Sequence, residues 1–173
     1  MKQLLSLLLC LSIIVPSMAK KEQRKQNVFP DGTPISEWFL QTKVVHPDSL
    51  GKKYDLSDYG IESNPHIVQT QKIQKIIDEA AANGGGVIYI PEGIYKSGSL
   101  FFKQGTHLYL SKGATLLGSE NIMDFPLLMT RIEGEYCKYF GALINADGLD
   151  TFTISGKGTI DGNGTQIGRA SCR

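Results

Sequence analysis

Seven short apolar stretches, each followed by a turn that contains glycine, limit what this chain can fold into more than any other feature. They span residues 87–90, 99–102, 106–110, 114–117, 142–145, 151–155 and 159–161. Glycine is concentrated in the same region, since 16 of the 19 glycines lie between Gly84 and Gly168. Stretches this short, each closed by a turn, are typical of strands. The second half of the chain is therefore predicted to be all-β.

The spacing of these stretches predicts a repeating coil. The starts at positions 99, 106 and 114 are seven and eight residues apart, and positions 143, 151 and 159 within the later stretches are eight residues apart. Three strands with their turns then take roughly 22 to 25 residues, which suits one coil of a parallel β-helix. In such a coil Leu108, Leu110 and Leu116 would stack on their counterparts in the next coil. A β-sandwich is the alternative, and it would need longer strands joined as hairpins.

Two other segments interrupt this pattern. Residues 119–141 break the period and are predicted to be a loop excursion from a coil. Upstream, apolar residues recur at helical spacing and predict an amphipathic helix with one apolar stripe; they are Ile73, Ile76, Ile77, Ala80 and Ala81. The helix could begin near Asn64 or as late as Thr70, and it should end at Asn83–Gly84, where glycine can adopt the left-handed cap.

The N-terminus has the features of a secretory signal peptide over residues 1–19. Lys2 is followed by an uncharged, mostly apolar segment over residues 4–15 and by small residues at Ser17 and Ala19. That segment is shorter than the roughly 20 residues that a membrane-spanning helix needs. We therefore expect an exported protein, periplasmic or extracellular, with no membrane contact after cleavage. Residues 20–28 are polar and are predicted to be a flexible linker.

Charge and cysteine content exclude several classes of function. Without Lys2, the mature chain carries 17 basic and 17 acidic residues, so electrostatic binding to nucleic acid is not indicated. Only Cys137 and Cys172 remain outside the leader, too few for a disulfide framework or a cysteine metal site. No metal site is predicted.

Several motifs together carry a resemblance to a known family. They are TQKIQKIID at residues 70–78, GGGVIYIPEGIY at 84–95, GATL at 113–116 and ISGKGTIDGNG at 154–164. In this order they resemble the polygalacturonase-like glycoside hydrolases of family 28, in the pectate-lyase-like superfamily. The resemblance implies a right-handed parallel β-helix with an N-terminal capping helix, of which residues 29–165 would form the N-terminal part.

The resemblance also implies a reaction. Family members hydrolyse α-linked galacturonic acid or rhamnogalacturonan chains of cell-wall pectin with inversion and without a cofactor, and the full-length protein is expected to be a monomer. They use aspartates of an N-x-D motif and a D-D pair, with G-H-G and R-x-K motifs. This chain contains no D-D, G-H-G or R-x-K sequence. We therefore assign no catalytic residue, expect those residues downstream of Thr165, and expect the chain alone to be inactive.

Other charged side chains were weighed as candidates. Arg131 and Lys138 are predicted to bind substrate, because a uronate carries a carboxylate that arginine can hold through two hydrogen bonds. His46, His66 and His107 are expected at the surface or at corners. The remaining candidates are carboxylates, none of which is assigned a catalytic role; they are Glu92, Asp124, Glu133, Glu135, Asp147, Asp150 and Asp161. The pairs Glu133/Glu135 and Asp147/Asp150 are more simply explained as solvated loop charges.

Two alternative functions remain open from the sequence. One is a lyase of the same superfamily, with a lysine or arginine base and often calcium. The other is a non-catalytic carbohydrate-binding β-helix. Residues 166–173 have no strand period and depart from the family pattern, which suggests a foreign or frame-shifted end. A β-helix that stopped there would leave strands unpaired, so we expect self-association.

Overall fold

The computed structural model describes residues 28–40 and 45–164, which fall in two compact units. The first unit contains a short antiparallel bridge between Val28 and Pro34 and a 3₁₀ helix at Glu37–Leu40. The predicted signal peptide, nearly all of the predicted linker and the 166–173 tail lie outside the described residues.

The described residues of the second unit, 45–164, contain twelve strands, one α-helix and short 3₁₀ helices. In chain order the strands and the α-helix are β1 (Lys53–Asp55), β2 (Asn64–Val68), α1 (Thr70–Ala82), β3 (Gly86–Ile90), β4 (Gly93–Ser97), β5 (Leu100–Phe101), β6 (Thr106–Leu110), β7 (Ala114–Gly118), β8 (Leu127–Ile132), β9 (Glu135–Phe140), β10 (Ile144–Asn145), β11 (Ile154–Gly156) and β12 (Thr159–Asp161). Ten of the strands form three parallel sheets, ordered β1-β3-β6-β11, β2-β4-β7-β12 and β5-β10. The chain visits the sheets in turn, which makes this unit a parallel β-helix.

Interior side chains stack in register from coil to coil. Ile88 pairs with Leu108, Ile90 with Leu110, and Tyr95 with Leu116. All six are buried, and each aliphatic side chain removed from water contributes roughly 1.5–3 kcal/mol. The predicted stacking of Leu108, Leu110 and Leu116 is therefore confirmed, and the β-sandwich alternative is excluded by the parallel pairing.

Strand β4 was absent from the list of apolar stretches predicted from the sequence. Its side chains alternate between the interior and the outside, with Tyr95 and Ser97 buried and Lys96 between them. Its apolar run is only Ile94–Tyr95, because Lys96 and Ser97 follow, although β4 pairs with β7 along its whole length.

Helix α1 begins at the later of the two predicted positions, because residues near Asn64 form β2 instead. It ends as predicted, with Gly84 at φ +89° and the Gly85 N–H donating to the Ala80 carbonyl at 2.8 Å. Its buried face consists of Ile73, Ile76, Ile77 and Ala80, and the helix contacts β3, β5 and β6.

The Gln74 side chain joins α1 to the backbone of β5. Its Oε1 accepts from the Phe101 N–H at 2.8 Å, and its Nε2 donates to the Phe101 carbonyl at 2.9 Å. Strand β10 pairs with β5 in parallel along the opposite edge. The amide of one glutamine therefore occupies the place of a further strand.

The predicted loop excursion contains an antiparallel hairpin instead. Strands β8 and β9 pair over six positions and are joined by Glu133 and Gly134, whose φ angles are +52° and +94°. Two consecutive residues with positive φ form the tight turn that favours hairpins. Glutamate is uncommon in this conformation, so a tight turn at this position was not predicted.

Replacing Ile77 by alanine tests the packing of α1. Ile77 is fully buried, so removing its outer carbons should lower the free energy of unfolding by about 3 kcal/mol, measured by urea denaturation. The matched control is Lys75→Ala on the exposed side of the same helix, with an expected change below about 0.5 kcal/mol. Equal losses in the two variants would contradict this packing.

Replacing Gly156 by alanine tests the close approach of two coils. Gly156 has φ +111°, and a Cβ there would lie 1.9 Å from the Leu110 carbonyl oxygen. We expect Gly156→Ala to lower the free energy of unfolding by at least about 2 kcal/mol, measured by denaturation. Gly162 has no atom within 4 Å of the corresponding position, so Gly162→Ala should be nearly neutral. A Gly156 variant as stable as the Gly162 variant would refute the close approach.

Candidate functional site

The β8–β9 hairpin is inserted into a coil between β7 and β10 and carries the two cations predicted to bind substrate. A 3₁₀ helix at Ile122–Asp124 leads into it, with the Asn121 side chain accepting from the Met123 N–H at 3.1 Å. The hairpin closes at its base, where the Gly141 N–H donates to the Pro126 carbonyl at 2.9 Å. The insertion therefore begins and ends at one corner of the coil.

The register of the hairpin places Arg131 and Lys138 on one face. Directly opposed residues in an antiparallel pair lie on the same face, and residues two apart on a strand share it. This face, which we call the cationic face, consists of Leu127, Met129, Arg131, Tyr136, Lys138 and Phe140. Every one of these side chains belongs to an exposed residue. The structure thus brings the two predicted residues together, and their contact with substrate stays a prediction.

Local contacts hold the Arg131 side chain in place. Its Nε donates to the Gly134 carbonyl at 3.1 Å, and its guanidinium carbon lies 5.9 Å from the centre of the Tyr136 ring. Such an arrangement combines a hydrogen bond with a cation–π contact. Among the described residues, Lys138 forms no ion pair. Both cations are therefore free to meet an external anion.

Carboxylates are segregated from this face. Glu133 lies in the turn, and Glu135 pairs with Ile132 on the opposite face of the hairpin. Since the cationic face carries two positive charges and no negative one, the electrostatic potential close to this face is positive.

A mainly apolar cavity of about 230 Å³ lies at the base of the hairpin. Its lining residues are Ile122, Phe125, Tyr139, Phe140, Gly141, Ala142, Leu143 and Gly162. Phe140 belongs to both the cavity wall and the cationic face. The two features therefore form one continuous surface.

Several of the candidate carboxylates stabilise turns. The Asp161 Oδ1 accepts from the Asn163 N–H at 2.8 Å, and Asp124 accepts a hydrogen bond from the Ser119 hydroxyl. Neither contact positions a carboxyl group for proton transfer to an external molecule.

The letters N-x-D do occur once in the chain, at Asn145, Ala146 and Asp147. Asn145 has a structural role, because its Nδ2 donates to the carbonyls of Leu100 and Ala142 at 3.1 and 2.7 Å. These letters therefore begin in strand β10 with a residue that bonds to the backbone, and they do not identify the catalytic motif.

The histidines show no arrangement for catalysis. His46 is exposed, and its Nδ1 accepts from the Asp48 N–H at 3.4 Å. His107 lies within β6, where burial lowers its pKa, so it is a partly buried strand residue and not a corner. The described residues contain no group of three or more histidine, cysteine, aspartate or glutamate side chains able to hold a metal ion. No helix within the described ranges is both long and apolar enough to cross a membrane.

Comparison with known proteins gives relatives of two kinds. The chain is 33% identical over 147 residues to an exo-poly-α-D-galacturonosidase of Dickeya chrysanthemi and 37% identical over 129 residues to a plasmin- and fibronectin-binding protein A of Streptococcus pneumoniae. These alignments cover 80% and 72% of the chain. No family model matches the chain.

A solved structure shares both sequence and fold with the chain. It is the family 28 exopolygalacturonase of Yersinia enterocolitica, with 33% identity, a TM-score of 0.58 and 65% of this chain covered. The chain spans 24% of the Dickeya relative, 17% of the streptococcal protein and 21% of the Yersinia structure. The motifs, the parallel coils and these similarities agree, and the chain is a polygalacturonase-like chain of glycoside hydrolase family 28 that spans part of its relatives' length.

Proposed function

We propose that this chain is part of an exported pectin-degrading hydrolase that cleaves α-linked galacturonic acid or rhamnogalacturonan chains with inversion. The observation that carries the proposal is the 33% identity over 147 residues with an exo-poly-α-D-galacturonosidase, on a matching parallel β-helix. An inverting enzyme needs a carboxylic acid and a carboxylate roughly 6.5–9.5 Å apart on either side of the glycosidic bond.

In this proposal the described coils supply scaffold and binding surface, and the catalytic carboxyl pair lies outside them. Two observations support this division. Asp124 and Asp161 already accept hydrogen bonds from Ser119 and Asn163, and Asn145 donates to the backbone carbonyls of Leu100 and Ala142. The 173-residue chain should therefore be inactive alone.

We further propose that α1 caps the first coil. The apolar face of α1 packs on β3, β5 and β6, and Gln74 takes up the free backbone groups of Phe101. Covering a sheet in this way removes an edge on which another chain could pair.

A non-catalytic binding protein is the second candidate. The 37% identity over 129 residues with a plasmin- and fibronectin-binding protein favours it, because a protein named for binding shares much of the sequence of these first coils. A lyase that uses calcium is the third, and it rests only on membership of the same superfamily.

A product assay distinguishes these functions. The full-length gene product should release reducing ends from polygalacturonate or rhamnogalacturonan, with inverted anomeric configuration by NMR, whereas the 173-residue chain should release none. Formation of unsaturated product in the presence of calcium would show that the protein is a lyase and not a hydrolase. Binding without any product would favour the non-catalytic candidate, and release of reducing ends by the 173-residue chain would refute its proposed inactivity.

Export is tested by the N-terminus of the mature protein. Expression in a bacterial host should give a periplasmic or extracellular product that begins at Lys20, determined by N-terminal sequencing of each fraction. Leu8→Arg places a charge in the apolar segment and should retain the uncleaved chain in the cytoplasm, whereas Gln3→Lys before that segment should be exported normally. A wild-type chain that keeps Met1 in the cytoplasm would contradict the signal peptide.

A further inference from the structure

We propose that the cationic face of the β8–β9 hairpin is a binding surface for a carboxylate-bearing polysaccharide, aligned along β9 and anchored by Lys138 and Arg131. This inference rests on the proposed function, because it assigns the acidic class of substrate to a specific surface. It adds Tyr136 and Phe140 as contact residues.

The first argument is the order of side chains along β9. Tyr136, Lys138 and Phe140 are successive residues on one face, so neighbouring side chains start roughly 7 Å apart. Aromatic rings offer flat apolar surfaces to the C–H face of a sugar, and an ammonium group between them can meet a carboxylate. An aromatic, cationic, aromatic order therefore suits a chain of acidic sugars.

The second argument is the charge and the preorganisation of the face. No carboxylate shares the cationic face, and the Arg131 guanidinium is already positioned by Gly134 and Tyr136. Little side-chain freedom would be lost when Arg131 binds an anion. A second copy of this chain is a poorer occupant, because two such faces would bring four positive charges together.

The third argument is the exposure of apolar side chains on the hairpin. Tyr136, Met129 and Leu127 are 77%, 65% and 57% exposed. Contiguous exposed apolar side chains mark contact surfaces, and a two-stranded hairpin is marginally stable without something packed on it. A bound polysaccharide chain would cover this surface.

Affinity electrophoresis of the 173-residue chain tests the proposal. Polygalacturonate in the gel should retard the chain, and fully methyl-esterified polygalacturonate and neutral galactan should not, since both lack free carboxylates. Replacing both cations, Arg131→Gln with Lys138→Gln, should weaken binding about tenfold, and Tyr136→Ser should weaken it to a smaller extent. Retardation should also decrease with added salt.

The matched control is Glu135→Gln on the opposite face. It removes one negative charge from the same hairpin, so non-specific attraction to the polymer should increase slightly or not change. All variants alter exposed residues and should keep the wild-type circular dichroism spectrum and midpoint of thermal unfolding. Wild-type affinity in the double variant, or equal retardation by galactan, would overturn the proposal.

The outcome separates this inference from the proposed function. If the full-length protein hydrolyses polygalacturonate while the double variant binds like the wild type, the binding surface is wrong and the function stands. If no product forms while binding depends on Arg131 and Lys138, the proposed binding surface is supported and the proposed hydrolase function is wrong.

Discussion

The backbone hydrogen-bond ladder between successive coils is the interaction on which the rest of this structure depends. It forces each residue onto the residue one coil away, so that Ile88 lies on Leu108 and Tyr95 on Leu116. The segments between strands must then bring the chain back in the same register in every coil. Gly156 allows the Leu110 carbonyl to approach, and Asn145 donates to the carbonyl of Leu100 in the coil before it. The burial of apolar side chains and the contacts of Gly156 and Asn145 therefore depend on the same register.

On the edge of β5 away from β10, the backbone of Phe101 bonds to the Gln74 side chain of α1. A helix cannot pair with a strand through its own backbone, because its N–H and C=O groups are used internally. The Gln74 side-chain amide forms these hydrogen bonds instead, because it has the same kinds of donor and acceptor as a peptide group. The apolar side chains of the helix therefore pack against the coils, and this one amide bonds to the edge of β5.

Much of this fold could be predicted from short apolar stretches and their glycine turns, because both reflect the coil period directly. Strand β4 escaped prediction since Lys96 and Ser97 end its apolar run after Tyr95, and the hairpin escaped since Glu133 adopts a conformation that glutamate seldom takes. Arg131 and Lys138 could be proposed from the sequence, but their common face depends on the strand register. The structural role of Asn145 was hidden for a similar reason, because its partner Leu100 is remote in the chain.

The point at which the hairpin leaves the coil has a consequence for how such a chain can diversify. Strand β7 pairs with β4 and β12, and β10 pairs with β5, so the ladders on both sides continue as though nothing were inserted between them. Segments of other lengths and sequences could replace the hairpin strands at residues 127–140 without changing these pairings, whereas Ser119 and Asp124 bond to the coil backbone at Ser97 and Ser99. The corner is thus a site where insertions are tolerated and where a loop from another protein could be grafted, so that new recognition surfaces arise on an unchanged scaffold.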